Sequence, residues 1–164
     1  MAGARFYLKK QPSSWTTFSI MVLWSALSLL PDADVYGFAM GVRYEDPWGH
    51  RGATHSIVFG VMIAVLVGLF ARARGLSAVR TALIAAVVIV SHGLLDALTD
   101  GGLGAALLWP FSHRRFFAPW RPLPVAPIGR GLFSSAGLHI MLVEAFVFSP
   151  LFVYALWPIR RNKA

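Results

Sequence analysis

The chain has 164 residues, 57% of them hydrophobic and only 13% charged, with a formal net charge of +8. Soluble domains carry about 25% charged residues spread over their surface; here the charges gather at the chain ends and between long apolar runs, which excludes an ordinary soluble domain and points to a membrane protein. No cysteine is present, so disulfides and thiolate metal sites are excluded and any metal must be held by His, Asp or Glu.

The first apolar segment, residues 15–30, follows a basic leader (Arg5, Lys9, Lys10) and ends at Pro31. The second, 54–70, opens on the polar string "HRGATHS" (His50–Ser56), and includes its last three residues if it is to reach spanning length. The third, 79–98, is apolar apart from Ser91, His92 and Asp96 in its last third. The fourth, 138–157, carries His139 and Glu144 near its start and Pro150 further along. A spanning helix needs about 20 residues, so the expected fold class is all-α. It is a polytopic membrane helical bundle of about four transmembrane helices in one domain, with loops at 31–53 and 99–137. Within the second loop "PWRPLPVAP" has four prolines in nine residues and reads as stiff, extended chain.

Basic residues set the orientation. The leader, the turn near Arg72, Arg74 and Arg80, and the tail with Arg160, Arg161 and Lys163 carry no acidic residue. The two longer loops mix arginines with carboxylates. The positive-inside rule then puts both termini in the cytoplasm and both long loops outside. The basic residues form no continuous stripe, so nucleic acid is not an expected partner; the bilayer is.

With that topology every histidine falls near the outer face. His92 and Asp96, four apart, share one helical face, and ionisable groups in an apolar helix are costly enough to be paired or functional. "PDADVYG" adds Asp32 and Asp34, and "HRGATHS" adds His50 and His55, with Gly52 allowing a turn between them. A nitrogen and oxygen donor set without sulfur suits Zn, or Mn or Fe, as one or two ions. The expected metal ligands are Asp34, His50, His55, His92 and Asp96, with Asp32 as ligand or general base. Asp32 and Asp96 are the expected catalytic carboxylates. Arg51, Arg114 and Arg115 are expected to hold an anionic group, since guanidinium forks match phosphate oxygens. His113 is a further candidate ligand, and His139 and Glu144, five apart and so about 140° around a helix, are candidates to support the ligands rather than to serve one site together.

"PDADVYG", "HRGATHS" and "SHGLLDALTDGGLGAALLWPFSHRR", in that order over Pro31–Arg115, resemble the YdjM-like family of LexA-regulated, inner-membrane-associated metal-dependent hydrolases. The resemblance implies a multi-helix protein of the bacterial inner membrane and a metal-assisted hydrolase, with Asp32, Asp34, His50, His55, His92 and Asp96 on the motif positions. The His-x-x-x-Asp pair is also faintly similar to zinc phospholipases of the phospholipase C type. The expected activity is hydrolysis at the lipid–water interface, on a phospholipid or other amphiphilic phosphate ester, by metal-activated water. A non-catalytic scaffold with a structural His/Asp cluster, or a metal or proton transporter, is the alternative.

Overall fold

A computed structural model describes residues 14–156; the basic leader, Trp157 and the tail arginines and lysine that enter the orientation argument lie outside the described residues. Helix α1 (Ser14–Ser28) leads into a 3₁₀ segment, Pro31–Met40, that bends away from it by 57°. A short 3₁₀ turn, Ala53–His55, precedes α2 (Ile57–Ala73), and α3 (Ala78–Ala97) follows after a brief turn. A last 3₁₀ turn, Gly129–Phe133, precedes α4 (Ser135–Val147) and α5 (Ser149–Leu156). Among the described residues there is no strand, only isolated bridges at Thr99–Leu123 and Ala105–Phe116.

The antiparallel hairpin of α2 and α3 is built on small residues. Gly60, Ala64, Gly68 and Ala71 form the buried stripe of α2, facing Thr81, Ala85, Ile89 and Gly93 of α3. A Cβ at Gly60 would stand 2.7 Å from Val90 Cγ2, and one at Gly68 would stand 2.8 Å from Ala82 Cβ. Small residues every fourth position let two backbones approach where no water-driven collapse operates, as in membrane helix pairs. Trp24 of α1 packs against Ala64 and Ala85 to complete this core. The outward faces are the reverse of a soluble helix: Val61, Val65, Leu66, Leu69 and Phe70 of α2, and Val79, Leu83 and Val87 of α3, are exposed.

The expectation of an all-helical chain holds, and that of four spanning helices holds only in part. Among the described residues only α3 is long and apolar enough to cross a membrane, with α1 and Pro31–Met40 a second candidate if the bent pair is one span. α2 starts at Ile57 rather than at Thr54, because Ser56 has extended backbone and its hydroxyl accepts from the Phe59 N–H. That N-cap leaves the polar string outside the helix. The fourth segment is broken at Phe148. There Pro150 offers no N–H to the carbonyl four residues earlier, and the Ser149 hydroxyl takes up the Phe146 carbonyl instead.

The two long loops knit into a cap over the end of the bundle where α1 and α3 finish and α2 begins. The Ala106 N–H donates to the Arg51 carbonyl, and the Ile57 N–H to Leu107. The proline-rich stretch is extended as expected, with Asp100 N–H donating to Leu123 O and Asp100 Oδ1 accepting from Val125 N–H.

Candidate metal centre

Three elements bring their polar residues to one point under this cap. The 3₁₀ segment has about three residues per turn, so Asp32 and Asp34 leave it about 120° apart. One turn of α3 separates His92 from Asp96 on the same face. The Ala53–His55 turn lies against that face, with Gly93 at the contact: a Cβ there would fall 2.3 Å from the His55 carbonyl oxygen. The glycine after His92 thus admits the backbone of His55 beside it.

The His55 ring lies between two sets of carboxylates and is buried, at 3% exposure. On its Nε2 side are Asp96 Oδ2 at 3.0 Å and Asp32 Oδ1 at 3.5 Å. His92 Nε2 lies 3.2 Å from the same Asp32 oxygen and 3.7 Å from the same Asp96 oxygen. On its Nδ1 side stand Asp34 Oδ2 at 3.1 Å and the Thr54 hydroxyl at 3.0 Å. Asp34 also takes His50 Nδ1 at 2.7 Å, the Thr54 hydroxyl at 2.7 Å and the Arg51 backbone N–H at 3.2 Å. Burial pulls the His55 imidazole toward its neutral form, but Asp32, Asp34 and Asp96 outweigh it and hold the ring pKa up to about 10.

The fit of this group to an ion rests on its orphaned atoms. His55 Nε2, His92 Nε2 and Asp96 Oδ2 are buried without a hydrogen-bond partner, though each is close to another member of the cluster. Buried polar atoms are nearly always bonded, so three orphans in one place require an explanation. They lie together with an Asp32 oxygen, all within ligand reach of one another. Donors about 2.0–2.1 Å from a tetrahedral ion stand about 3.3 Å apart, in the middle of the 3.0–3.7 Å seen here. Two carboxylates also match the charge of a divalent ion. Asp32, His55, His92 and Asp96 therefore fit such an ion, and Asp34, His50 and His55 form a second, overlapping group within ligand reach of one another.

Arg51 has a left-handed backbone (φ 61°), rare for a residue with a side chain. That turn aims its N–H at Asp34 while its guanidinium runs toward α3. Nη1 donates to the Thr99 hydroxyl and the Gly101 carbonyl, and Nη2 pairs with Asp96 Oδ1 at 3.1 Å. Asp96 thereby has one oxygen fixed and the other pointing at His55. Thr54 and Thr99, neither of them assigned a role from sequence, are thus part of the frame; Thr99 stands three residues after Asp96, where a helix-end hydroxyl can turn back to the Asp96 carbonyl.

The arginines expected to bind an anionic group divide differently. Arg115 spends its guanidinium on the carbonyls of His50, Tyr44 and Asp46, stapling the loop that carries His50. Arg114 is exposed, and neither it nor Arg115 lines the cavity beside the cluster. That cavity holds about 480 Å³; Asp32, His92, Asp96 and Arg51 line one side, and Leu29, Leu123, Ile128 and Phe148 line others. Glu144 of α4 reaches it too. His113 and His139 are exposed and do not line it.

A helical bundle with an apolar exterior and a buried histidine–carboxylate centre at one capped end defines a membrane protein built around a candidate metal site. The family model described as YdjM inner membrane protein matches residues 1–162, and the chain belongs to that family. It is 40% identical over 142 residues to the inner membrane protein YbcI of Escherichia coli (strain K12), covering 82% of this chain and 81% of that protein. No solved structure matches. Family and relative place the chain in the bacterial inner membrane.

Proposed function

We propose that the chain is a metal-dependent hydrolase acting at the lipid–water boundary of the inner membrane on an amphiphilic substrate, such as a phospholipid or another phosphate ester. The observation that carries this reading is the set of three buried, unpartnered donors, His55 Nε2, His92 Nε2 and Asp96 Oδ2, gathered around shared space with Asp32. Asp32, His55, His92 and Asp96 would hold the ion, with Zn the best match and Mn or Fe also suited to the donors. A divalent ion in such a site supplies Lewis acidity and a water-derived nucleophile at neutral pH.

The protein's own groups do the rest. Asp34 fixes the His55 ring through Nδ1, leaving Nε2 free for the ion, an arrangement that raises ligand basicity. Arg51 holds Asp96 in place. Asp32, the most exposed of the four at 39% of its side chain, is the carboxylate best placed to take a proton from an entering water. Arg51 has both terminal nitrogens engaged and only its buried Nε without a partner, so it offers no free guanidinium fork to a phosphate. The basic turn at Arg72, Arg74 and Arg80 lies at the far end of the α2–α3 hairpin, which supports cytoplasmic termini and a site on the outer side.

One observation favours the rival reading of a purely structural cluster: His55 held protonated among three carboxylates ties the cap to α3 without any ion. Metal analysis of the purified chain separates the two. The hydrolase reading expects bound Zn, Mn or Fe, lost in His92→Ala, and hydrolysis of a panel of phosphate esters and lipids, lost in Asp96→Asn. A chain with no bound metal, or a loaded one that turns over none of the panel, refutes it.

A further inference from the structure

Glu144 is the carboxylate that the metal centre does not use. It sits half-buried on the apolar helix α4 and lines the same 480 Å³ cavity as Asp32 and Asp96, and its side chain makes no hydrogen bond or ion pair with another described residue. A divalent ion on Asp32 and Asp96 would neutralise those two carboxylates, and the Arg51 guanidinium is already held against Asp96. Glu144 is then the carboxylate of the described lining that no cation contacts, in surroundings where a lone charge is costly. Among the described residues no free cation reaches it: Arg51 is the only Lys or Arg of the described lining, and its terminal nitrogens go to Thr99, Gly101 and Asp96.

We propose that Glu144 receives the ammonium group of a zwitterionic aminophospholipid, whose phosphate faces the metal centre. This inference rests on the reading of the centre as a metal site. The chain enters past Leu29 and Ile128, which line the cavity and are also exposed, at 60% and 42%, on the apolar outside. The volume lies within the roughly 300–1,000 Å³ of small-molecule sites, enough for a headgroup. Charge also selects the class. An anionic lipid without an amine adds a negative charge beside Glu144, whereas a zwitterion adds none and pairs with it.

The test is native mass spectrometry of the full chain, loaded with zinc and exposed to equimolar phosphatidylethanolamine and phosphatidylglycerol, with metal content read in parallel. The native chain is expected to retain phosphatidylethanolamine preferentially. Glu144→Gln should lose about tenfold of that preference, as for one charge-assisted hydrogen bond, and Glu144→Asp should keep most of it. Soluble phosphoethanolamine competing as well as the lipid would assign the ligand to solution rather than the bilayer, on the same carboxylate. Metal bound without any lipid preference, or a preference unmoved in Glu144→Gln, overturns the proposal and leaves the metal centre standing. No metal, but a preference that depends on Glu144, keeps the ammonium site and removes the hydrolase.

Discussion

Replacing Asp34 by Asn separates a carboxylate that orients ligands from one that is itself a ligand. Asp34 has 1% of its side chain exposed and spends Oδ1 on His50 and Oδ2 on His55, Thr54 and the Arg51 N–H. Asn preserves the shape and one acceptor. If its oxygen stays at the position that takes Thr54 and Arg51, its NH₂ is forced against His50 Nδ1, and His55 exchanges a charged partner for a neutral one. Loss of such a partner behind a metal-binding imidazole costs about 10–100-fold in metal affinity, or about 1.4–2.7 kcal/mol. The ion should therefore still bind to Asp34→Asn, but 10–100-fold more weakly, while His92→Ala, which removes a donor outright, loses stoichiometric metal. Zinc competition against a chromophoric chelator reads both, with circular dichroism showing that each variant is folded. If Asp34→Asn loses metal as completely as His92→Ala, Asp34 is a ligand and the division of labour between the two faces of His55 is wrong. An unchanged affinity would show that the carboxylate behind the ring does not tune it.

Three further outcomes follow from the same geometry. Gly93→Ala must push the His55 backbone away from α3, since its Cβ would meet the carbonyl oxygen at 2.3 Å; thermal stability and zinc affinity should fall together, and a well-folded variant with native affinity refutes the contact. The His55 pKa, held up to about 10 against about 6.5 in the unfolded chain, gives the metal-free protein stability that is complete below about 6.5 and lost as pH rises through about 10. An ion must displace that proton, so zinc affinity should rise about tenfold per pH unit across this window, with proton release visible to an indicator dye; a pH-independent affinity would contradict it. Arg115→Met frees three carbonyls of the loop that carries His50 and should lower the melting temperature measurably, whereas Arg114→Met, at an exposed position, should stay within about 0.5 kcal/mol; equal effects would refute the assignment of Arg115 as a staple.

The residues of the centre were legible in the sequence because ionisable groups stand out against apolar helices, and helical spacing alone aligned His92 with Asp96. What each residue does there was not legible, for three physical reasons. Asp32 and Asp34 look alike as a pair two apart, and only the 3₁₀ geometry of Pro31–Met40, in place of an irregular loop, sends one to the Nε2 side of His55 and the other to the Nδ1 side. Arginine beside histidine suggests anion binding, yet a cap made of irregular chain leaves carbonyls without partners, and Arg51 and Arg115 supply donors to them. That demand arises only once the two loops have folded together. The start of the second span was misplaced for a local reason that was open to view: Ser56 is a strong N-cap residue directly before an uninterrupted apolar run, and it stops the helix before the polar string. Capping in this way keeps His55 off α2, so that its orientation is set by Asp34 and Gly93 instead of by a helical register. An imidazole held from behind and packed from the side is aimed more narrowly than one carried on a helix, which is what a fixed donor to an ion requires.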